Sequence, residues 1–572
     1  MSEARDDGST DAGPALWPEQ QGPEPGAGER RTRWLRVAAV TGGAMALGLG
    51  TLWLARERIA DDLISGQLRS LGLPATYKIE SIGPREQVLS HVVIGDPRAP
   101  DLTIERAVIG IEPRLGFPAI GRITLIRPRL YGTWTDGTVR FGSLDKVLRG
   151  GGKAQGLPAI DLSVSDGRAR LLGNHGPVGL RLDGAGRLDG GFAGTLAAVA
   201  PDLALGTCRA EGATLYGKLA VTEGQPRLTG PLRVARLDCP DAAARVGGLA
   251  VALNARLDKT LDGATVRLDL ASGSAALGAG RADGLAGRIE ATWRGGALTA
   301  RIDGRARGLA LPQVRAANLA LAGTLRTREG LDRAEAEGDV TATGLRLGDT
   351  SLGSLIAAER QGEGSLVAPL LRQLREALER ESRGSRLAAG FMLRRARGQT
   401  SLVLPQGRVT GASGATLLAL SRLHYASGEG TPRLAGNFST GGPGLPRIEA
   451  RMEQGARGAT VVRMAMAEYR AGDSRIALPQ LTIAQGPRGD LRLAGLAEAS
   501  GPLPGGRAER LVLPLAGSLS ASGALALWPD CTTVRFDRLA YANLVLDGQA
   551  LRLCPGPGGA IVRSDARGTR LA

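Results

Sequence analysis

One stretch near the middle of the chain, Leu249-Ala-Val-Ala-Leu-Asn-Ala-Arg-Leu257 followed by Thr265-Val-Arg-Leu-Asp-Leu270, decides the fold class. In both runs an apolar side chain alternates with a small or polar one, which is the period of a β-strand with one apolar face. Asp262-Gly263 lies between the runs, and Asp-Gly in that position is a strong hairpin signal. The stretch therefore predicts two antiparallel strands of a sheet that is wet on one side.

The same alternation recurs from Tyr77 to the end of the 572-residue chain, for example at 160–164, 178–182, 298–302 and 511–515. We therefore predict a mainly β protein, an elongated antiparallel array with a few short amphipathic helices. Asp-Gly pairs predict hairpin turns at Asp136, Asp166, Asp183, Asp189, Asp262, Asp283, Asp303 and Asp547. The candidates for the apolar face are Leu180, Leu182, Leu253, Leu268, Leu270 and Ile302.

An apolar face that continues over hundreds of residues must be covered or used. A closed sandwich would cover it with a second sheet of the same chain. Alternatively, the sheet curls into a trough whose apolar inside holds acyl chains. Aromatic residues make up only 3% of the sequence, which suits a smooth aliphatic channel slightly better than a packed core. The sequence leaves both arrangements open, and with a closed β core the protein would be a non-catalytic scaffold or adaptor and not a lipid carrier.

One strong helix interrupts the strands. Residues 365–382 carry leucines at helical spacing on one side and charged residues on the other, with glycines at both ends. We expect this helix, within a segment 361–390, to cap or plug the sheet between two β parts at 56–360 and 391–572. A shorter amphipathic helix is expected at 56–72, where the first β part begins.

The N-terminus predicts a membrane anchor. Residues 1–33 form an expected disordered tail, with seven acidic residues and one arginine in the first 29. An uncharged run, Val37–Ala55, follows four arginines, and about 19 residues are enough to cross a hydrocarbon core. We predict a transmembrane helix over 34–55, because the run is too long for the core of a typical cleaved signal peptide. The arginines place the tail in the cytoplasm and the body in the periplasm, next to the inner membrane.

Four cysteines fall into two neighbouring pairs, Cys208 with Cys239 and Cys531 with Cys554. In an oxidising compartment these neighbours are the natural disulfide partners, and each bridge would tie strand ends together. Four independent buried thiols remain the alternative.

The residues that catalysis and metal binding require are scarce. The three histidines, His91, His175 and His424, are far apart, and no metal-ligand spacing, P-loop or nucleophile elbow occurs. We therefore predict no enzyme activity and no cofactor. The net charge of +16 is carried by arginines scattered singly along the chain, which does not predict a nucleic-acid partner.

Several segments resemble YdbH-type proteins, AsmA-like members of the Gram-negative cell envelope. The resemblance is carried by Ala75–Gly83, Val92–Asp96, Ile123–Gly132 and Phe141–Asp145, and further on by Pro369–Leu378 and the surroundings of Cys531 and Cys554. It extends from about residue 33 to residue 556, and its specific part is 57–145.

The resemblance implies a repeating β-groove that carries phospholipid between the inner and outer membranes. It also implies a small outer-membrane lipoprotein as partner, and it supplies no catalytic residues. Many such proteins carry an older label as dicarboxylate transporters, but a single anchor makes a permease physically implausible. Members usually continue for several hundred residues past the point that corresponds to Ala572. The resemblance therefore implies a fragment or a shortened paralogue, and 391–572 would then be truncated.

Overall fold

The computed structural model describes residues 73–83, 85–112, 119–135, 138–145, 156–328, 332–428, 433–454, 460–486, 489–556, 559–565 and 568–571. These residues belong to one compact unit, Arg69–Ala572. The predicted tail at 1–33, the anchor at 34–55 and the short helix at 56–72 lie outside the described residues. In the part of the chain that is described, no helix is both long enough and apolar enough to cross a membrane.

The described residues form one very long sheet. Its first strands are β1 Ala75–Ile82, β2 Glu86–Asp96, β3 Ala99–Glu112, β4 Ala119–Ile126, β5 Arg129–Thr135, β6 Thr138–Arg140, β7 Asp161–Gly173, β8 Val178–Arg187, β9 Ala193–Leu205, β10 Cys208–Thr222, β11 Gln225–Cys239, β12 Ala244–Leu257, β13 Gly263–Ser272, β14 Ser274–Leu277, β15 Gly280–Ala282, β16 Gly284–Arg294, β17 Ala297–Ala310, β18 Val314–Arg328, β19 Arg333–Thr343 and β20 Arg346–Leu347.

Two helices follow, α1 over Asp349–Gln361 and α2 over Val367–Ser382. The remaining strands are β21 Arg386–Ala396, β22 Gln399–Thr410, β23 Thr416–Ser427, β24 Arg433–Thr440, β25 Ile448–Gln454, β26 Thr460–Ala471, β27 Ser474–Gln485, β28 Leu491–Leu503, β29 Gly506–Leu519, β30 Leu525–Leu527, β31 Thr532–Tyr541, β32 Leu544–Leu553, β33 Val562–Asp565 and β34 Gly568–Leu571. Single 3₁₀ turns occur at Gly142–Leu144 and Pro240–Ala242. The protein is therefore mainly β, as predicted.

The topology is a meander in which nearly every long strand pairs antiparallel with the strand before it and the strand after it. The exception is near the start, where β7 pairs parallel first with β4 and then with β5. Consecutive strands need only short connections. Two-residue turns join several of them, at 223–224, 295–296, 397–398 and 472–473.

The prediction that every Asp-Gly marks a turn was wrong at four sites. Asp166, Asp183, Asp303 and Asp547 each lie inside a strand with the following glycine. The turns instead use pairs such as Glu223-Gly224 and Arg397-Gly398, in which both residues have positive φ. Asp-Gly occurs in hairpin turns, and it also occurs inside strands that pack closely at a glycine. The dipeptide alone therefore does not distinguish a turn from a strand interior.

The second helix lies inside the segment for which the sequence predicts a helix, 365–382. The first helix was not predicted. It covers 349–361, so the strands of the first β part end before residue 349 and not at residue 360 as expected. Its apolar residues, among them Leu352, Leu355 and Ile356, are only half-buried, and its pattern is interrupted by Gly353. A helix with such a weak apolar stripe gives little periodic signal.

Fully buried apolar side chains are concentrated in a few places. Strands β2 and β3 bury Val88, Leu89, Val92, Ile94 and Ile104, so this end of the sheet is covered on both faces. A second cluster of Ala200, Ala210, Ala213 and Val234 lies near one end of β9, β10 and β11, and a third joins α2 to β26. Between these clusters the apolar residues of the strands are mostly half-buried.

Candidate functional site

The six residues predicted for the apolar face lie on one face of the sheet, in two adjacent cross-strand rows. We call one the central row, which contains Leu180 and Leu270, and the other the second row, which contains Leu182, Leu253, Leu268 and Ile302. Leu253 is paired directly with Leu268, and Ile289 links Leu268 to Ile302. Residues more than 100 positions apart in sequence are therefore joined by consecutive side-by-side pairs.

The central row passes through twenty-four strands, each paired with the next, without one polar side chain. Its members are Ala75, Ile94, Leu102, Leu130, Ala169, Leu180, Ala198, Leu215, Leu232, Val251, Leu270, Gly287, Gly304, Leu321, Val340, Ala389, Gly407, Leu420, Phe438, Ala450, Met464, Leu481, Gly495 and Leu515. A one-residue slip of a strand would turn the side chains of its other face, many of them charged, onto this face, so the register is strongly specified. The result is a continuous apolar track across the sheet.

The side chains of this track are not sealed in a core. All six predicted residues, Leu180 and Leu270 in the central row and the other four in the second row beside it, are half-buried. In a closed sandwich the inward residues of mid-strand are covered by the opposite sheet and lose nearly all solvent contact. Over β8–β18 most of the leucine and isoleucine side chains on this face thus keep partial solvent access, whereas Val251 and Ala300 are buried.

Facing glycines show which way the sheet bends. A Cβ added to Gly230 would lie 2.2 Å from the carbonyl oxygen of Tyr216, and one added to Gly338 would lie 2.2 Å from that of Ala322. Each faces another glycine, Gly217 or Gly323, on the apolar face. Such contacts leave no room for a side chain, so neighbouring backbones approach closely on this side. We interpret the apolar side as the inside of the bend at these pairs.

The opposite face is charged, and ion pairs connect neighbouring strands across it. Arg267 is 2.8 Å from Glu290 and Arg288 is 2.7 Å from Asp269, in each case across β13 and β16. The hydrogen bond to Asp269 raises the pKa of Arg288. Exposed pairs of this kind contribute little stability individually, but they keep charge on the outer face and off the apolar track.

Asp166 organises the point where the parallel pairing changes from β4 to β5. Its carboxylate is 2.9 Å from Arg129 and within 3.5 Å of Arg168 and Arg181, and its own N–H donates to Asp183. The hydrogen bond from Arg129 lowers the pKa of Asp166. Asp166 has a φ of +48°, so this network holds an unusual backbone position inside β7.

Helix α2 lies on the apolar face at one end of β26–β28. Leu366, which precedes the helix, and Leu370 are buried against Tyr469 and Ala471 of β26, with Ile476 of β27 packed beside them. The hydroxyl of Tyr469 donates to the carbonyl oxygen of Gly444 at 2.9 Å, and burial raises the pKa of Tyr469. The helix therefore covers part of the surface that is half-exposed elsewhere.

Both cysteine pairs are at bonding distance, Cys208 with Cys239 and Cys531 with Cys554. Each pair lies opposite the two-residue turn of its own hairpin, at the ends of β10–β11 and next to β31–β32. The bridges thus clamp the open ends of two hairpins within the sheet.

Within the described residues, no cluster of three or more His, Cys, Asp or Glu side chains could hold a metal ion. His175 packs against Trp134 with ring centres 4.5 Å apart, and its Nδ1 lies 2.9 Å from the carbonyl oxygen of Ala204. The Nε2 of His424 lies at hydrogen-bonding distance, 3.0 Å, from the hydroxyl of Ser401. The candidate functional site is the apolar face with its facing glycines. The apolar face was predicted from the sequence, but the facing glycines were not, although Gly323 and Gly338 visibly interrupt the apolar alternation of their strands.

No curated protein matches the chain. The model of the YdbH-like family, described as intermembrane phospholipid transport protein YdbH, matches residues 44–561. That span includes nearly every described strand and both helices. The chain therefore belongs to the YdbH-like family of intermembrane phospholipid transport proteins.

Proposed function

We propose that the apolar face binds phospholipid acyl chains along the central and second rows and conducts phospholipid between the inner and outer membranes. The observation that carries this proposal is the uninterrupted apolar track through twenty-four paired strands, most of whose residues are only half-buried. A surface that is apolar, continuous and uncovered is costly in water unless it has an occupant.

Burial of acyl methylenes on the apolar track is the physical basis of the proposed binding. Each methylene that moves from water onto the track gains about 0.8 kcal/mol, while the headgroup stays in water beyond the strand ends. Strands are spaced by about 4.8 Å, so twenty-four of them give the track a length of roughly 110 Å measured across the strands. Because the row offers similar apolar contacts at every step, a lipid can move along it without crossing a polar barrier.

The placement of the protein is part of the same proposal. A transmembrane helix over 34–55 anchors the chain in the inner membrane, with residues 1–33 in the cytoplasm and the sheet in the periplasm. A small outer-membrane lipoprotein receives the lipid at the other end. The disulfide-bonded cysteine pairs support an oxidising compartment for the sheet.

Site-specific photocrosslinking tests the proposal. A benzophenone amino acid at Leu268 of the full chain, in cells grown with ³²P-phosphate, should capture labelled phospholipid on irradiation. The matched control places the same group at Arg267, the neighbouring residue on the charged face. Equal labelling at both positions, or none at Leu268, would contradict the proposal.

A further inference from the structure

The segment 344–385 is an insertion that the sheet does not need for its connectivity. Thr343 at the end of β19 is the direct cross-strand partner of Arg386 at the start of β21. Other neighbouring strands in this sheet are joined by two residues, as at 397–398. Here the two partners are joined by β20, α1 and α2. A long insertion between strands that are already paired has a role other than joining them.

The insertion extends away from its attachment point along one side of the sheet. Buried Glu381, near the end of α2, accepts hydrogen bonds from the N–H and hydroxyl of Ser413, in the turn between β22 and β23. Ala377 is fully buried next to Gly444, in the loop before β25. The other end of the helix reaches β26 and β28, where Leu366 packs over Gly501. One helix therefore spans the ends of seven consecutive strands.

At β26 and β27 the helix occupies the apolar face itself. Tyr469 is paired with Ile476, and Met464, in the central row, lies on the same strand and face as Tyr469. Leu370 is buried on Tyr469, so it fills space that acyl chains would need in order to lie there. An acyl chain and α2 cannot occupy this part of the face together.

The helix is held by apolar packing at its start and by polar contacts along its length. Leu366 and Leu370 are buried against β26, and the Tyr469 hydroxyl also lies 3.4 Å from the carbonyl oxygen of Leu370. The side-chain amide of Gln373 donates to the carbonyl oxygen of Arg470 at 2.7 Å. An acyl chain can make the same apolar contacts with β26, so it competes with the helix for them.

We propose that α2 is an internal occupant of the apolar face at one end of β26–β28, which it closes to lipid until it is displaced. This inference rests on the function proposed above. Because α2 and lipid compete for one surface, removing the helix favours lipid binding there, and lipid in turn favours a displaced helix.

The test compares two crosslinking positions in the full chain. Benzophenone at Leu478 samples the face beside α2, on the same strand face as Ile476 but outside its packed cluster. Benzophenone at Leu268 samples the uncovered part of the same sheet. In one variant, Asn-Gly replaces residues 344–385, joining Thr343 directly to Arg386 as a two-residue hairpin. We expect ³²P-phospholipid capture at Leu478 to rise several-fold in this variant, with capture at Leu268 unchanged.

A second variant keeps the chain length in case the excision prevents folding. Tyr469→Phe combined with Gln373→Ala removes two polar contacts of α2 without opening a large cavity, and it should also raise capture at Leu478. Tyr216→Phe, at an exposed tyrosine on the charged face, is the matched control and should change nothing.

The outcomes separate this inference from the proposed function. Capture at Leu478 that already equals capture at Leu268 in the natural protein would overturn the closed state. Capture at Leu268 with none at Leu478 in either variant would overturn α2 as the obstacle while leaving the proposed function intact. No capture at Leu268 would overturn the proposed function itself.

Discussion

Gly287 and Gly304 face each other on the central row, yet their surroundings differ. A Cβ on Gly287 would lie 2.6 Å from the carbonyl oxygen of Asp303, whereas a Cβ on Gly304 would meet nothing within 4 Å. We expect Gly287→Ala to lower the free energy of unfolding by about 1–3 kcal/mol through overpacking. Gly304→Ala should leave it unchanged or raise it slightly, since alanine loses less backbone entropy. Thermal unfolding followed by circular dichroism measures both, and equal losses would refute the interpretation of the bend.

The ion pair of Asp166 should make the stability of the fold depend on pH. Arg129 holds its pKa below the usual range in the folded protein. The stabilisation is therefore present above the unfolded pKa of about 3.9 and is lost as the pH falls through the lower, folded value. Asp166→Asn should lower the melting temperature at pH 7, and the difference from the natural protein should shrink at pH 3. A difference that stays constant between these pH values would show that the carboxylate charge is not responsible.

At the scale of elements, the Cys208–Cys239 bridge closes the open end of the β10–β11 hairpin, 31 residues apart in sequence. Restricting the unfolded chain in this way stabilises the fold by about 3.7 kcal/mol by the chain-entropy estimate. Replacing both cysteines with serine should lower the denaturant midpoint, and the loss should be absent when both proteins are compared under reducing conditions. Non-reducing peptide maps should join 208 to 239 and 531 to 554. Free thiols at all four positions would contradict the bridges.

Much of this element level could be predicted from the sequence, and the failures have physical causes. Alternation at Leu249–Leu257 and Val266–Leu270 predicts strands because side-chain direction in a strand depends only on local geometry. The leucines of α2 predict a helix for the same reason. The place where α2 packs could not be predicted, since Tyr469 lies about 100 residues further along the chain. Asp183-Gly184 was misjudged because Gly184 lies close to Gly194 on the neighbouring strand, and no local pattern reveals that contact.

At the scale of the whole molecule, the decisive property is register. The residues predicted for the apolar face are separate apolar positions in the sequence, and they join two adjacent rows only because the pairings of twenty-four strands between β1 and β29 place apolar residues or glycines side by side. The sequence left a closed sandwich and an open trough as alternatives, since both need the same alternation. Half-burial of Leu253, Leu268 and Ile302 is what distinguishes them, and it depends on what lies opposite the face.

A charge at Leu268, in the second row directly beside the track, tests whether lipid moves along the sheet. In a closed core, Leu268→Asp would bury an unpaired carboxylate at a cost of several kcal/mol and would unfold the sheet. Leu268 is half-buried, so we expect the variant to keep its circular dichroism spectrum and most of its thermal stability. Arg267→Asp, on the charged face, is the matched control.

The same charge should stop lipid that moves along the track. With benzophenone at Leu182, on one side of residue 268, and at Phe438, on the other, capture of labelled phospholipid should persist on the side where lipid enters and fall on the far side. The control variant should leave both unchanged. Lipids that bind each part of the face directly from solution would give equal capture on both sides of Leu268→Asp, because no passage past residue 268 would be required. That result would leave binding intact and would refute conduction along the sheet.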